Sequence, residues 1–177
     1  NSLQGARAGA STEAVRMVSL GDLLYSIDSG SSPKCHNRSA TPGEWSVLKL
    51  GAVTRGEYDD KENKALPEHA QLAVRLEVRA GDILLSRKNT KELVGASAYV
   101  WETAGRRLLP DLIFRLVPRD LDQTHPLYLW TFLSTPAARR ALSALATGAA
   151  ASMVNISKER LHTKIWFHRR LNRETSN

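Results

Sequence analysis

The sequence contains very little cysteine, since Cys35 is the single one among 177 residues. One thiol cannot close an internal disulfide or build a zinc site from several cysteines, so we expect an intracellular, reducing compartment, the cytoplasm. No apolar run approaches the roughly 20 residues that cross a bilayer, and no signal-like hydrophobic stretch is present. These features favour an intracellular domain that needs neither disulfides nor a membrane.

Signatures of catalysis are also missing. The sequence has neither a Walker-type phosphate loop nor a Gly-rich dinucleotide loop, and its five histidines lack metal-ligand spacing. An enzyme is the first alternative, but a nuclease would need Pro110-Asp111 before an acid-x-Lys motif, and Glu62-Asn-Lys64 precedes it. Cys35 and His36 are only sequence neighbours, which does not place a base against a thiol. We therefore expect a non-catalytic protein without cofactor or metal.

Positive charge is in excess. Lysine and arginine number 25 against 18 acidic residues, which gives a net charge of +7 and a pI near 9.9. This balance favours an anionic partner, with nucleic acid first, although a basic surface without such a partner is the alternative.

Aromatic residues are few, and the four tryptophans fall in predicted strands or a helix, where we expect them in the core: Trp45, Trp101, Trp130 and Trp166. A single-strand binder would instead expose aromatic rings.

Hydrophobic patterns predict several strands and a helical pair. Ser19 should cap a helix through Leu20, Leu23, Leu24 and Ile27, and a long loop should cover residues 28–44. The helical pair spans 126–148, with Pro136 beginning its second helix and Gly148 ending it, and a short capped turn follows at 157–161. The predicted strands are 45–50, 74–78, 83–85, 98–101, 112–117 and 165–167. We expect one mixed α/β (α+β) domain with a twisted, mostly antiparallel sheet and a packed helical pair.

Three segments, in this order, resemble the target-recognition domains of type I restriction–modification specificity subunits. They are EWSVLKLGAVTRG at 44–56 with ENKALP at 62–67, AGDILLSRKNTKELVG at 80–95, and LLPDLIFRL at 108–116. The motifs SLGD at 19–22 and GSSP at 30–33 also fit, and the resemblance covers residues 15–168. Residues 1–14 would be a flexible leader, and residues 169–177 a basic tail that could begin a spacer helix.

The resemblance implies a reader of double-stranded DNA. Such a domain recognises one half-site, while separate methyltransferase (M) and translocase/endonuclease (R) subunits carry out the chemistry. A second recognition domain or self-association would complete the split site. Two alternatives stay open: an assembly module that docks a methyltransferase subunit through Leu129, Trp130, Phe132 or the basic tail, and the reader domain of a fused restriction–modification enzyme.

The segment SRKNTK at 86–91 is the main candidate for contacting DNA. Arg87 can pair bidentately with guanine and Asn89 with adenine, while Lys88 and Lys91 suit phosphates. The alternative is a solvated charged loop in which Asn89 and Thr90 bond their own turn.

Other candidate contacts lie in predicted loops. Acidic side chains in the run 57–62 could accept from a cytosine amino group, and Ser152 and Asn155 lie in a loop of small residues after the helical pair. Each could equally face water or cap local backbone. The remaining candidates are Lys34, Arg38, Arg55, Asn63, Lys64, Ser152 and Asn155.

Overall fold

The computed structural model describes residues 15–119, 125–148 and 153–170. Its strands are β1 (Val15–Ser19), β2 (Leu24–Ser29), β3 (Ser46–Leu48), β4 (Asn63–Ala65), β5 (Ile83–Ser86), β6 (Lys88–Asn89), β7 (Ser97–Tyr99), β8 (Arg107–Leu108), β9 (Ile113–Pro118), β10 (Val154–Asn155) and β11 (Trp166–Arg170). Its helices are α1 (Leu20–Leu23), α2 (Gly51–Thr54), α3 (Pro126–Leu133), α4 (Pro136–Leu145) and α5 (Lys158–Lys164), with a 3-10 turn at Val74–Leu76.

A four-stranded antiparallel sheet in the order β2-β9-β5-β7 forms the centre of the fold. Its strand β5 is buried along its whole length, because the sheet is covered on both faces. Ile83 and Leu85 point into one hydrophobic cluster, and Leu84 between them points into the other. A continuous apolar run is what such a doubly covered strand requires.

Helices cover the first face of the sheet. Leu129 and Leu133 of α3, Leu142 of α4 and Leu161 of α5 are all buried in the hydrophobic cluster that contains Phe114 of β9. The predicted helical pair is confirmed, since Pro136 occupies the first turn of α4 and the Thr135 hydroxyl accepts from the amide of Ala138. The second face packs against a smaller cluster that includes α2 and β3.

The remaining strands form three smaller sheets. Strand β3 pairs antiparallel with β4 and parallel with β8, while β1 pairs with β11 and β6 with β10, both antiparallel. The mixed α/β fold class with mostly antiparallel pairing is therefore confirmed, with its strands divided among four sheets.

The helix predicted from Leu20 to Ile27 is wrong beyond its first turn. Ser19 and Asp22 form a capping box that holds α1, but the backbone from Leu24 to Ser29 then pairs with β9. Leu20 and Leu24 are buried in either arrangement, so the apolar spacing does not distinguish the two. Pairing with a strand distant in sequence decides the outcome.

The strand predicted at 74–78 is also wrong, because this segment contains a 3-10 turn at Val74–Leu76. The guanidinium of Arg115 donates hydrogen bonds to the backbone carbonyls of Arg75 and Glu77 at 3.0 and 2.9 Å. Those carbonyls are therefore occupied by a side chain.

Two further expectations, the end of α4 and the burial of two tryptophans, need correction. Helix α4 ends at Leu145 rather than Gly148, because Thr147 pairs with Asn155 and Gly148 lies against the Met153 carbonyl. Trp101 and Trp166 are 64% and 52% exposed and are not core residues. No helix in the described ranges is long and apolar enough for a membrane crossing.

Candidate nucleic-acid interface

Arg87 lies at the point where the central sheet ends. Its backbone amide donates to the carbonyl of Leu112 at 3.0 Å, and its carbonyl accepts from the amide of Ile156 at 2.9 Å. The residue is thus fixed between the start of β9 and the chain that follows β10. Although Arg87 lies outside the strands, these two hydrogen bonds hold its backbone to the end of the sheet and so restrict where its side chain can lie.

The β6–β10 pair brings three predicted site residues together. Lys88 is the register partner of Asn155, and the Nε of Arg87 donates to the Oδ1 of Asn155 at 3.2 Å. The guanidinium of Arg87 lies 4.9 Å from the centroid of the Phe114 ring, and the amine of Lys158 lies 5.8 Å from the same centroid. The cationic side chains of Arg87 and Lys158 therefore converge on the Phe114 ring, near the start of β9.

Lys88, the next residue after Arg87, is linked through Asp111 and Ser32 to a cavity, which we call the groove. The Nζ of Lys88 lies 3.9 Å from the Oδ2 of Asp111, whose Oδ1 accepts a hydrogen bond from the Ser32 hydroxyl. Ser32 and Leu112 in turn line a cavity of about 390 Å³. Its other lining residues are Pro33, Cys35, Val47, Leu48, Lys49, Leu50 and Lys64. We call Arg87, Lys88, Asn155, Lys158 and Lys64 the basic face.

Three predicted contacts lie away from the basic face or are occupied. Arg38 makes a bidentate ion pair with Glu44 at 2.7 and 2.8 Å, and this hydrogen-bonded guanidinium holds the pKa of the Glu44 carboxyl well below its usual range. Arg55 lines a different cavity, of about 230 Å³, together with Arg139. Lys91 donates from its Nζ to the backbone carbonyl of Ser143 at 2.7 Å.

The two buried asparagines serve the fold. Asn89 is 7% exposed, donates to the Ser86 hydroxyl and accepts from the amide of Thr90, which is the turn-bonding alternative given above. Asn63 is 2% exposed and bridges the amide of Ala40 and the carbonyl of Asp60. Asn89 therefore does not offer a paired donor and acceptor to adenine.

The other candidates vary in position. Lys34 is exposed and follows Pro33, which lines the groove, and Lys64 is exposed in the groove wall. Ser152 lies outside the described residues. Phe114, Lys158 and Asp111 were missed as site residues, because each joins the basic face only through contacts with distant parts of the chain.

Nothing in the described ranges groups three or more His, Cys, Asp or Glu side chains in a way that could hold a metal ion. The one thiol is also poorly suited to nucleophilic chemistry. Burial raises the pKa of Cys35, more than the nearby charge of Lys64 lowers it. Less of it is therefore thiolate than in a free cysteine.

The fold is that of the specificity subunits of type I restriction–modification systems. The S subunit from M. genitalium superimposes with a TM-score of 0.58 at 12% identity, over 89% of this chain and 35% of that chain. The HsdS subunit from Thermoanaerobacter tengcongensis superimposes with a TM-score of 0.56 at 19% identity, over 93% of this chain and 36% of that one.

The sequence shows the same relationship. The chain is 34% identical over 148 residues to the specificity subunit of the type I restriction enzyme EcoEI of Escherichia coli, a match that covers 81% of this chain and 24% of the relative. No protein-family model matches the chain. Sequence and fold together make this chain a relative of the type I specificity subunits, and it spans about a quarter of the length of the curated one.

Proposed function

We propose that this chain binds double-stranded DNA and reads one half-site of a split target for a type I restriction–modification complex. The observation that carries the proposal is the convergence of Arg87, Lys88 and Asn155 on the short β6–β10 pair. These residues come from two segments far apart in sequence, and a fixed side-chain fork beside phosphate-binding cations is what base reading requires.

The chemistry of the basic face divides into two tasks. Lys88, Lys158 and Lys64 of this face, and Lys34 next to the groove residue Pro33, are partly or fully exposed cations. They suit phosphates and would give an affinity that falls with salt. Arg87 and Asn155 are partly buried and held to each other, so they suit base edges. Neither task breaks a covalent bond, and the chain is non-catalytic in this proposal.

Other subunits would carry out the chemistry. We infer that residues 15–168 form the recognition domain and that methyltransferase and translocase/endonuclease subunits bind outside the basic face. A solved structure concerned with complex assembly of a type I system shares the fold, with a TM-score of 0.53 at 15% identity, over 88% of this chain and 34% of that chain. A chain fused to its catalytic domains would use the same face.

Selection from a randomised duplex pool tests this function. The 177-residue chain is titrated by fluorescence anisotropy at several salt concentrations, and the bound pool is sequenced. We expect salt-sensitive affinity and enrichment of one short motif. Salt-sensitive binding without an enriched motif would remove the reading role, and no binding at low salt would contradict DNA binding by this chain.

A second candidate, protein docking, is favoured by a different surface. Tyr99, Trp101 and Trp130 form an edge-packed aromatic cluster with ring centroids 4.7 to 6.3 Å apart, and Trp101 is largely exposed. Leu129, proposed for docking from sequence, is instead fully buried in the core. Trp101→Ala should weaken capture of a methyltransferase subunit without changing DNA binding if this surface docks it.

A further inference from the structure

The side chain of Arg87 is held in place and yet keeps most of its donors. Guanidinium groups carry five N–H donors, and Arg87 uses the one on Nε for Asn155. Its terminal nitrogens make no hydrogen bond in the described part of the chain, while the plane of the group lies near the Phe114 ring. The end-on fork of the guanidinium is therefore oriented but unbonded.

Other arginines have one of these properties without the other. Arg107 and Arg115 are held by partly buried carboxylates, and Arg38 by Glu44, so their forks are occupied. Arg55 and Arg140 are exposed, and no described side chain holds them. Among the arginines whose side chains the structure describes, only Arg87 combines a fixed position with an open fork.

The identity of the atoms at Asn155 is fixed by chemistry. Arginine has donors only, so the side-chain amide of Asn155 must turn its oxygen towards Arg87 and its NH₂ group away. The backbone of Asn155 is itself held by two hydrogen bonds with Thr147, at 2.9 and 2.8 Å. Asn155, like Arg87, is therefore held in position by backbone hydrogen bonds to another segment of the chain.

The exposed groups of this pair are all donors. A base edge that pairs with them must present acceptors only, and in the major groove guanine does so with O6 and N7. Adenine presents a donor beside its acceptor, and cytosine presents a donor. Thymine presents a single acceptor beside its methyl group, so only guanine offers two neighbouring acceptors to a two-donor fork. The donor array thus matches guanine better than any other base.

We propose that Arg87 reads one guanine of the half-site through its end-on fork, and that Asn155 is a positioning residue that determines this specificity. The inference rests on the proposed function and adds a base and a residue role to it. Asn155 acts through Arg87, because its oxygen fixes the rotation of the guanidinium, while Phe114 fixes its height above the sheet.

A double-mutant cycle on base preference tests the inference. Pools selected by the wild-type chain, Arg87→Ala, Asn155→Ala and the double variant are sequenced, and affinities are measured for duplexes with each base at the enriched positions. Arg87→Ala should lower guanine preference at one position by roughly 5- to 150-fold, the range for one bidentate pair. Asn155→Ala should lower the same preference by about threefold or more, and should have no further effect in the Arg87→Ala background.

Two conservative variants separate positioning from folding. Asn155→Asp keeps the oxygen that accepts from Nε, so it should retain the guanine preference while binding all duplexes more weakly. Arg87→Lys keeps the charge but not the fork, so it should lose the preference while retaining the dependence of affinity on salt. Thermal unfolding of each variant confirms that the chain is folded.

The failures of the inference and of the proposed function are distinguishable. A wild-type motif that survives Arg87→Ala would overturn the guanine assignment and leave DNA reading intact. An effect of Asn155→Ala that persists in full without Arg87, or that Asn155→Asp fails to rescue, would overturn the positioning role. A wild-type chain that enriches no motif would contradict the proposed function itself.

Discussion

Arg115 lies on β9, Arg87 directly follows the neighbouring strand β5 of the central sheet, and the surroundings of the two side chains differ completely. The guanidinium of Arg115 donates to Asp28 at 2.9 Å, to Asp82 at 3.3 Å and to two backbone carbonyls. Among the described residues, the guanidinium of Arg87 has one hydrogen-bond partner and a neighbouring aromatic ring. Arg115, surrounded by carboxylates, therefore stabilises the fold, whereas we propose a role in recognition for Arg87, which has no carboxylate partner among the described residues.

Arg115→Met should produce the largest effect, a loss of stability. The substitution leaves the Asp28 and Asp82 carboxylates, 24% and 20% exposed, without their cation, which should lower the free energy of unfolding by about 3 kcal/mol. Urea unfolding at neutral pH measures it. Adding Asp28→Asn should restore part of the loss. An Arg115→Met chain as stable as the wild type would show that this arginine is not structural.

The Asp60–Arg107 pair predicts how stability depends on pH. Burial raises the pKa of the Asp60 carboxyl, but hydrogen bonds from Thr103 and Tyr58 and the charge of Arg107 outweigh it, so the pKa lies below its ordinary value of 3.8. A lowered carboxyl pKa contributes stability that is fully present above pH 3.8 and is lost as the pH falls through the lower folded-state value.

Asp60→Asn therefore tests the contribution of the partly buried Asp60–Arg107 pair to stability without altering the basic face. The variant should be less stable by on the order of 1 kcal/mol at neutral pH, and this difference should shrink as the pH falls below about 4. Denaturant unfolding at a series of pH values measures the difference. A constant gap down to pH 2 would mean that the ionised carboxylate contributes nothing, while DNA binding at neutral pH should be unchanged as long as the chain is folded.

The sequence was sufficient for elements that local patterns determine. The apolar strand predicted at 83–85, the strand predicted at 112–117 and the start of the second helix at Pro136 all appear in the structure close to their predicted positions. Each depends on residues within one turn or strand. The target-recognition fold followed from the order of three such segments.

The candidate site was only partly predictable, because its geometry comes from long-range pairing. Arg87 and Lys88 stood out by residue type, whereas the roles of Phe114 and Lys158 depend on the meeting of β9 with α5. Asn89 shows the limit most clearly. The residue type and its position in the sequence fit both a contact with a base and a hydrogen bond within the turn. In the structure Asn89 is buried, and its side chain accepts from the amide of Thr90.

Lys88→Ala tests whether Lys88 contacts a phosphate rather than a base. Loss of one phosphate contact should weaken binding to all duplexes alike and reduce the slope of log affinity against log salt by about 0.9. Anisotropy titrations between low and moderate salt measure the slope, with Arg140→Ala as the control for an exposed cation outside the basic face. A change in the enriched motif would instead place Lys88 against a base.

Asp111→Asn should have the smallest effect, and its sign is informative. The carboxylate of Asp111 restrains Lys88 across 3.9 Å and opposes the phosphates, whereas asparagine keeps the oxygen that accepts from Ser32 and removes the charge. Binding should therefore tighten by about twofold at low salt, and the gain should fade as salt screens the charges. Weaker binding confined to duplexes with one particular base would mean that Asp111 accepts from a cytosine amino group. In that case the acidic side chain beside Lys88 reads the half-site together with Arg87.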